Sequence, residues 1–330
     1  MINILFVGDL HIKKGNIEET RPLLEKILRL SREHDAVVLA GDIYNDHGIS
    51  HAAVQELVHG FFTDLSALGK PTFNIRGNHD ETTDGMHSSL TVHSGIPNVT
   101  QIKDPTIIAP GIAAIPYIRN KEQLKAAVIQ MSTQAKVIFC HADFFGAKYE
   151  SGTPCKDGLT EADMPEGVFF ISGHFHTNQT LGRFWYPGTP RWLTRDDAGQ
   201  DKGLWTISLD TKNNKMTTAF HSSSDVSPVF HKITIESKDT PLPEVKKIDK
   251  IYVEYKMQDD SMLAVLQGKY KDNMILRREP KVLKSTAVSE AKGVSKSLED
   301  YIQSIDTGRW NKDTIHAEIS KRIFSNVSNG

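Results

Sequence analysis

The sequence predicts an α/β fold followed by a small α+β appendage and terminal helices. Three observations carry this. Over the first 220 residues, short apolar runs alternate with amphipathic stretches of helical length, the pattern of strands separated by helices. The last strands of that region follow one another with no helix between them, which predicts a second, antiparallel-rich sheet. After Ser222-Ser223-Ser224 and Pro228 the pattern changes to two alternating strands and then to helical spacing.

The elements follow in order. Ile4–Val7 reads as a buried strand. Glu18–Glu33 reads as a helix, with Leu23, Leu24, Ile27, Leu28 and Leu30 near helical spacing. Ala36–Ala40 is the next strand. The stretch from His51 to Leu68 is helical and gathers Val54, Leu57, Val58, Phe61, Phe62 and Leu65 on one face. Pro71–Ile75 is a strand, and residues 86–93 form a short helix. Ile112–Ile115, a helix over 120–132 and Val137–Cys140 come next, then strands at Val168–Ile171 and Thr180–Trp185. Beyond the boundary, Val229–Ile235 and Ile251–Tyr255 alternate as strands. From Val294 the chain is helical again, with Leu298, Tyr301, Ile302 and Ile305, a break at Gly308, then Ile315, Ile319, Ile323 and Phe324. The expected divisions are residues 1–225, 226–293 and 294–330.

Composition narrows the classes. With 330 residues, 38% hydrophobic and 24% charged, the chain is an ordinary globular protein of roughly two domains, not a disordered or collagen-like one. A formal net charge of −2 argues against nucleic-acid binding by bulk positive charge. Charge is nevertheless uneven: residues 229–330 hold 18 Lys and Arg against 15 Asp and Glu, and residues 1–228 hold 21 against 26. Within 269–296 there are eight basic and three acidic side chains. Two cysteines, Cys140 and Cys155, exclude a disulfide framework and fit a reducing compartment. No apolar run approaches the 18 residues of a membrane span, so the expected location is the cytoplasm, with no membrane partner.

Five short segments carry the chemistry, each directly after an apolar strand: Gly8-Asp9-Leu10-His11, Gly41-Asp42, Gly77-Asn78-His79-Asp80, His141, and Gly173-His174-Phe175-His176. Loops at the carboxyl ends of strands are where α/β folds build sites. Carboxylate, amide oxygen and imidazole, with no sulfur, suit Mn, Fe, Zn, Co or Ni better than Ca or Mg alone. Asp9, His11, Asp42, Asn78, His141, His174 and His176 are too many donors for one tetrahedral ion. They suit two ions about 3.5–4 Å apart with a carboxylate between them.

This order of motifs resembles the calcineurin-like metallophosphoesterase superfamily, with its D-x-H, G-D, G-N-H-[DE], H and G-H-x-H blocks, all intact here over residues 9–176. The resemblance implies a two-sheet α/β sandwich flanked by helices. It implies a first metal on Asp9, His11, Asp42 and His176 and a second on Asp42, Asn78, His141 and His174, with Asp42 bridging. His79 would face the substrate phosphate as a catalytic residue, with Asp80 orienting its ring.

Two further segments, Ile115-Pro116-Tyr117 and Tyr186-Pro187-Gly188-Thr189-Pro190, are similar to SbcD-type nuclease subunits of DNA repair and recombination complexes; the stretch on to Lys202-Gly203-Leu204-Trp205 most resembles their bacteriophage members. That implies a Mn-dependent DNA exonuclease or endonuclease, a cap that binds DNA from about residue 226, and a C-terminal helical region that binds a coiled-coil SbcC-type ATPase. It also implies a homodimer through the helix at 51–68. The segment after His11 is shorter than in many such nucleases. The alternatives are a small-substrate phosphodiesterase or phosphatase of the same superfamily, and a non-catalytic scaffold. Intact ligand blocks speak against the scaffold, and the C-terminal extension against the small substrate.

Overall fold

The computed structural model describes residues 1–278 apart from Ile49, Ser50, Asn214, Gln258 and Asp272. In chain order the elements are β1 (Ile2–Val7), α1 (Ile17–Ser31), β2 (Ala36–Leu39), α2 (Ala52–Ala67), β3 (Thr72–Ile75), β4 (Val99–Ile102), β5 (Thr106–Ala109), β6 (Gly111–Ile115), α3 (Lys121–Ser132), β7 (Ala135–His141), β8 (Phe169–Gly173), β9 (Gln179–Leu181), β10 (Phe184–Tyr186), β11 (Gly203–Asp210), β12 (Lys215–Ser222), β13 (Phe230–Ile235), β14 (Lys250–Tyr255), α4 (Leu263–Tyr270) and β15 (Met274–Arg278).

They build the expected two-sheet sandwich, but the second sheet is parallel at its centre and antiparallel only at its two edges, not antiparallel-rich. The first sheet runs β12-β11-β1-β2-β3-β4 and the second β5-β6-β7-β8-β10-β9. Strands β1 to β4 are parallel to one another, as are β6, β7, β8 and β10, so their carboxyl ends point one way within each sheet. Strand alternation divides the core. Ile4 and Phe6 of β1 and Val38 of β2 face the layer between the sheets, where they meet Ile112, Phe139, Ile171 and Ile207. Leu5, Val7, Val37 and Leu39 point outward and are covered by α1 and α2. On the second sheet α3 covers Ala113, Ile115 and Ile138. Strands buried on both faces read as unbroken apolar runs, which is why β1, β2 and β7 are plain in the sequence.

The face of α2 expected to pair two copies has another task. Val54, Val58, Phe61, Phe62 and Leu65 are all buried against the chain's own first sheet, leaving Leu57 half-buried. Those side chains therefore cover the sheet.

Several elements differ from expectation at their edges. The helix expected over 86–93 is a single 3₁₀ segment, Ser89–His93, started by the Ser88 hydroxyl accepting from Leu90 N. Thr180–Trp185 is two strands, β9 and β10, folded back at Gly182, whose φ of 57° supplies the turn. β11 and β12 carry no expectation from the sequence. β12 is an edge strand whose residues are mostly exposed on both faces, so no alternation marks it.

A three-stranded sheet, β13-β14-β15, follows with α4 against it, around Ile235, Ile251, Val253, Tyr255, Leu266 and Tyr270. Residues 1–277 form one compact unit, so the change near 226 is a change of sheet within that unit. Lys250 reaches Glu19 on α1 at 2.6 Å, and Lys246 donates to the Ser224 carbonyl at 2.9 Å. The helical pattern from residue 294 lies outside the described residues, as does much of the basic stretch at 269–296. No helix among the described residues is long and apolar enough to cross a membrane.

Candidate metal centre

The parallel strands of the two sheets deliver their carboxyl ends to one place. From the first sheet come Asp9 and His11 after β1, Asp42 after β2, and Asn78 after β3; from the second come His141 at the end of β7 and His174 and His176 after β8. The turns are abrupt. His11, Asp42 and His174 sit in the left-handed region, with φ of 45°, 50° and 85°. Side chains other than glycine rarely adopt that conformation, and where they do the surrounding structure holds them there. For His11 the hold is visible: its N–H and that of Leu10 donate to the Asp42 carbonyl at 2.9 and 3.1 Å, and buried Arg191 donates to the carbonyls of Leu10 and His11. Gly77 has no such freedom of replacement, because a Cβ there would overlap the Asp42 carboxylate.

All seven expected donors meet. Asp9, His11 and His176 place ligand atoms within 4.8 Å of one another, and so do Asp42, His141 and His174. Asp42 Oδ2 lies 3.7 Å from His11 Nε2 and 3.5 Å from His141 Nε2, so it faces both groups, while its Oδ1 accepts from His79 N at 2.8 Å. Asn78 Oδ1 lies 2.9 Å from both His141 Nε2 and His174 Nδ1.

For three of the four rings the surroundings favour one nitrogen for the proton. His141 Nδ1 is 2.8 Å from the Ala40 carbonyl, which can only accept, so the proton is on Nδ1 and the Nε2 lone pair faces inward. His174 Nε2 is 2.9 Å from Asp143 Oδ1, leaving the Nδ1 lone pair inward. His176 Nδ1 is 2.5 Å from Glu150 Oε1, leaving Nε2 inward, 3.1 Å from His11 Nε2. Ring nitrogens and acceptor oxygens thus converge on one space. A donor set of this kind fits cations, and carboxylates on the outer nitrogens are the usual support of metal-binding imidazoles.

Electrostatics agree. Burial, then the neighbouring His174, pushes His141 well below the ordinary histidine range, and burial followed by His176 does the same to His11. Burial raises the Asp9 carboxyl to about 6, against the pull of His176 and His174. It also raises Asp42 well above the usual carboxylate range, with Asp9 and Asp80 adding to it. Neutral imidazoles beside crowded carboxyls are the states that added positive charge would stabilise. Against the upward push of burial, His176 holds Glu150 down at about 2 and His174 keeps Asp143 below its usual value, so both supports are ionised near neutral pH.

His79 and Asp80 occupy different positions from each other. The His79 ring lies at the rim, edge-on to His11 at 4.7 Å and stacked on His47 at 4.1 Å. Its Nδ1 is held by the Asn45 carbonyl at 2.5 Å. Asp80 therefore does not hold the ring, contrary to expectation. Fully buried, it accepts from Tyr44 N at 3.0 Å and Gly77 N at 2.9 Å, tying the loops after β2 and β3 together.

Sequence reasoning did not single out Asp143, Glu150, Asn45 or Arg191. Asp143 carried a usable signal, since His141-Ala142-Asp143 places an acid two residues beyond a strand-end histidine. Glu150 carried none, because it meets His176 only through the loop between β7 and β8.

Among known proteins, the chain is similar to the protein described as phosphoesterase 078R of Invertebrate iridescent virus 3, at 26% identity over 323 residues, covering 93% of this chain and 82% of that one. It is similar to phosphoesterase 244L of Invertebrate iridescent virus 6, at 27% identity over 56% of this chain and 69% of the relative. Exonuclease subunit 1 of Enterobacteria phage T4 matches at 24% identity, over 65% of this chain and 67% of that protein. Residues 2–178, more than half of the chain, match the model of the calcineurin-like phosphoesterases, and the chain belongs to that family.

Proposed function

We propose that this chain is a DNA nuclease, a dimetal phosphodiesterase acting as the catalytic subunit beside a coiled-coil ATPase in the cytoplasm. The observation that carries the phosphoesterase part is the convergence of Asp9, His11, Asn78, His141, His174 and His176 around Asp42. The nuclease part is supported by the likeness to phage exonuclease subunit 1 and by the extension after β12.

In this reading Asp9, His11, Asp42 and His176 would hold one divalent ion and Asp42, Asn78, His141 and His174 the other, with Mn, the ion the nuclease likeness implies, among those suited to mixed oxygen and imidazole donors. Such a pair of ions lowers the pKa of water and offsets charge building on the phosphoryl oxygens. The protein's own contribution is positional. Ala40, Asp143 and Glu150 fix the imidazoles, and Arg191 fixes the His11 turn. With Nδ1 held by Asn45, His79 offers Nε2 to the substrate. Burial depresses its basicity, and an anionic phosphate alongside would restore it, so a proton at Nε2 would be available for the leaving oxygen.

The test is to incubate the full chain with Mn and labelled linear DNA, with a generic bis-phosphate ester in parallel. Cleavage of both supports the nuclease. Cleavage of the ester alone supports the small-substrate reading, and cleavage of neither leaves a scaffold.

A further inference from the structure

A pocket of about 360 Å³ opens beside the donor cluster, lined by Thr177, Asn178, Gln200, Asp201, Trp205 and Phe220. The strand register sets its place. β11 runs antiparallel to β1 and pairs Trp205 with Phe6, three residues before Asp9; β12 pairs Phe220 with Trp205. From the second sheet, Thr177 and Asn178 directly follow His176, and two residues of chain span at most about 7 Å. The pocket therefore sits at the site-bearing end of the sandwich, on its open edge.

Its chemistry is aromatic and uncharged except at one acidic position. The Trp205 indole is fixed by donating Nε1–H to the Pro187 carbonyl at 3.2 Å and by Trp185 edge-on at 5.1 Å. Phe220 leans on it at 4.9 Å and keeps 39% of its surface exposed. The two amides are engaged in opposite senses. Asn178 Oδ1 accepts from Trp185 Nε1–H at 3.4 Å, and Gln200 Nε2 donates to the Asp196 carbonyl at 3.2 Å. Asn178 thus has an NH₂ to offer and Gln200 a carbonyl oxygen. Thr177 Oγ1 is buried with no partner. None of the lining side chains is basic, and Asp201 is acidic, so the pocket does not suit a phosphate.

An aromatic face with one donor and one acceptor beside it is what a nucleobase needs: a surface to stack on and groups to meet its edge. We propose that this pocket holds a base of the substrate strand next to the scissile phosphate, with Phe220 as the stacking face and Asn178 and Gln200 meeting its edge. This rests on the nuclease reading above.

The test uses the full chain with Mn, comparing wild type, Phe220→Ala and Phe220→Trp on three substrates: a single-stranded oligonucleotide, the same strand made abasic near the cleaved bond, and a bis-phosphate ester. The expected result is a KM for the base-bearing strand raised roughly 5- to 150-fold in Phe220→Ala, the range that losing one base stack brings. Turnover of the ester should be unchanged, the abasic strand should erase the difference, and Phe220→Trp should restore the KM. Equal KM values for the base-bearing strand, or an equal loss on the ester, would overturn the pocket while leaving the nuclease reading intact. If wild type cleaves no DNA, the nuclease reading fails, and titration of a nucleoside monophosphate against tryptophan fluorescence decides the pocket separately. Quenching that Phe220→Ala abolishes supports it; no quenching overturns it.

Discussion

The two sheets bring donors to the same place by different means. Asp9, His11 and Asp42 from the first sheet are held through backbone groups. Asp9 accepts from His174 N, Asp42 from His79 N, and the His11 turn is fastened by Arg191 and the Asp42 carbonyl. From the second sheet, only His141 is held that way, fully buried against the Ala40 carbonyl. His174 and His176 instead depend on carboxylates from the loop between β7 and β8, and the His176 side chain stays 17% exposed. Backbone fixes geometry and changes little with solution conditions. A carboxylate also fixes the ring but adds charge, raising the basicity of the nitrogen that faces the ion. The second sheet's half is therefore the tunable one.

Breaking the point both halves share should have the largest effect. Asp42→Ala removes the carboxylate that faces both groups, and calorimetric titration with Mn should show neither site binding at micromolar concentration. Retention of one full-affinity site would show that Asp42 does not bridge. Next comes His79→Ala, which should leave Mn binding intact and lower turnover about 10²- to 10⁴-fold, the usual contribution of a positioned acid or base. Near-normal turnover on the bis-phosphate ester would remove His79 from the chemistry.

The tunable half is probed by Asp143→Asn and Glu150→Gln, each expected to cost roughly 10- to 100-fold in Mn affinity. Because Glu150 supports only His176 and Asp143 only His174, each change should weaken one of two binding steps. Equal weakening of both steps would contradict the division drawn here. Asp80→Asn sharpens the backbone half. It puts an NH₂ against one of two buried N–H donors, at a cost of about 1–3 kcal/mol in folding stability. A lowered melting temperature is expected; unchanged melting with altered turnover would instead restore a ring-orienting role.

The smallest effect lies behind the first sheet. His93 is fully buried beside the Tyr44 hydroxyl and His59, and burial brings its pKa down to about 4. A histidine whose folded value lies below its unfolded value of about 6.5 contributes stability that is fully present above 6.5 and lost as pH falls towards 4. Urea unfolding at pH 7 and pH 4.5 should show this acid loss shrinking in His93→Gln. An unchanged difference between the two pH values would assign the loss to other groups.

The strands buried on both faces, the helices that cover them and the seven donors can all be read from the residues alone. A buried parallel strand must be apolar throughout, and a donor at its carboxyl end stands out against that run. Asp9, Asp42, Asn78, His141 and His174 were legible for this reason. What lies around them follows from how the loops meet in the fold. β12 is an exposed edge with no alternation to read. The apolar face of α2 packs on its own sheet, a role that helical spacing by itself does not assign. Asp80 stands beside His79 in the chain, yet its carboxylate meets the backbone of Tyr44 and Gly77, while the distant Asn45 carbonyl holds the ring. Glu150, Asp143 and Arg191 act on partners that are remote in the chain or reached only through a folded loop. Strand burial writes itself into local composition, whereas a hydrogen bond between distant loops leaves no periodic trace; it exists only once the sheets have set those loops side by side.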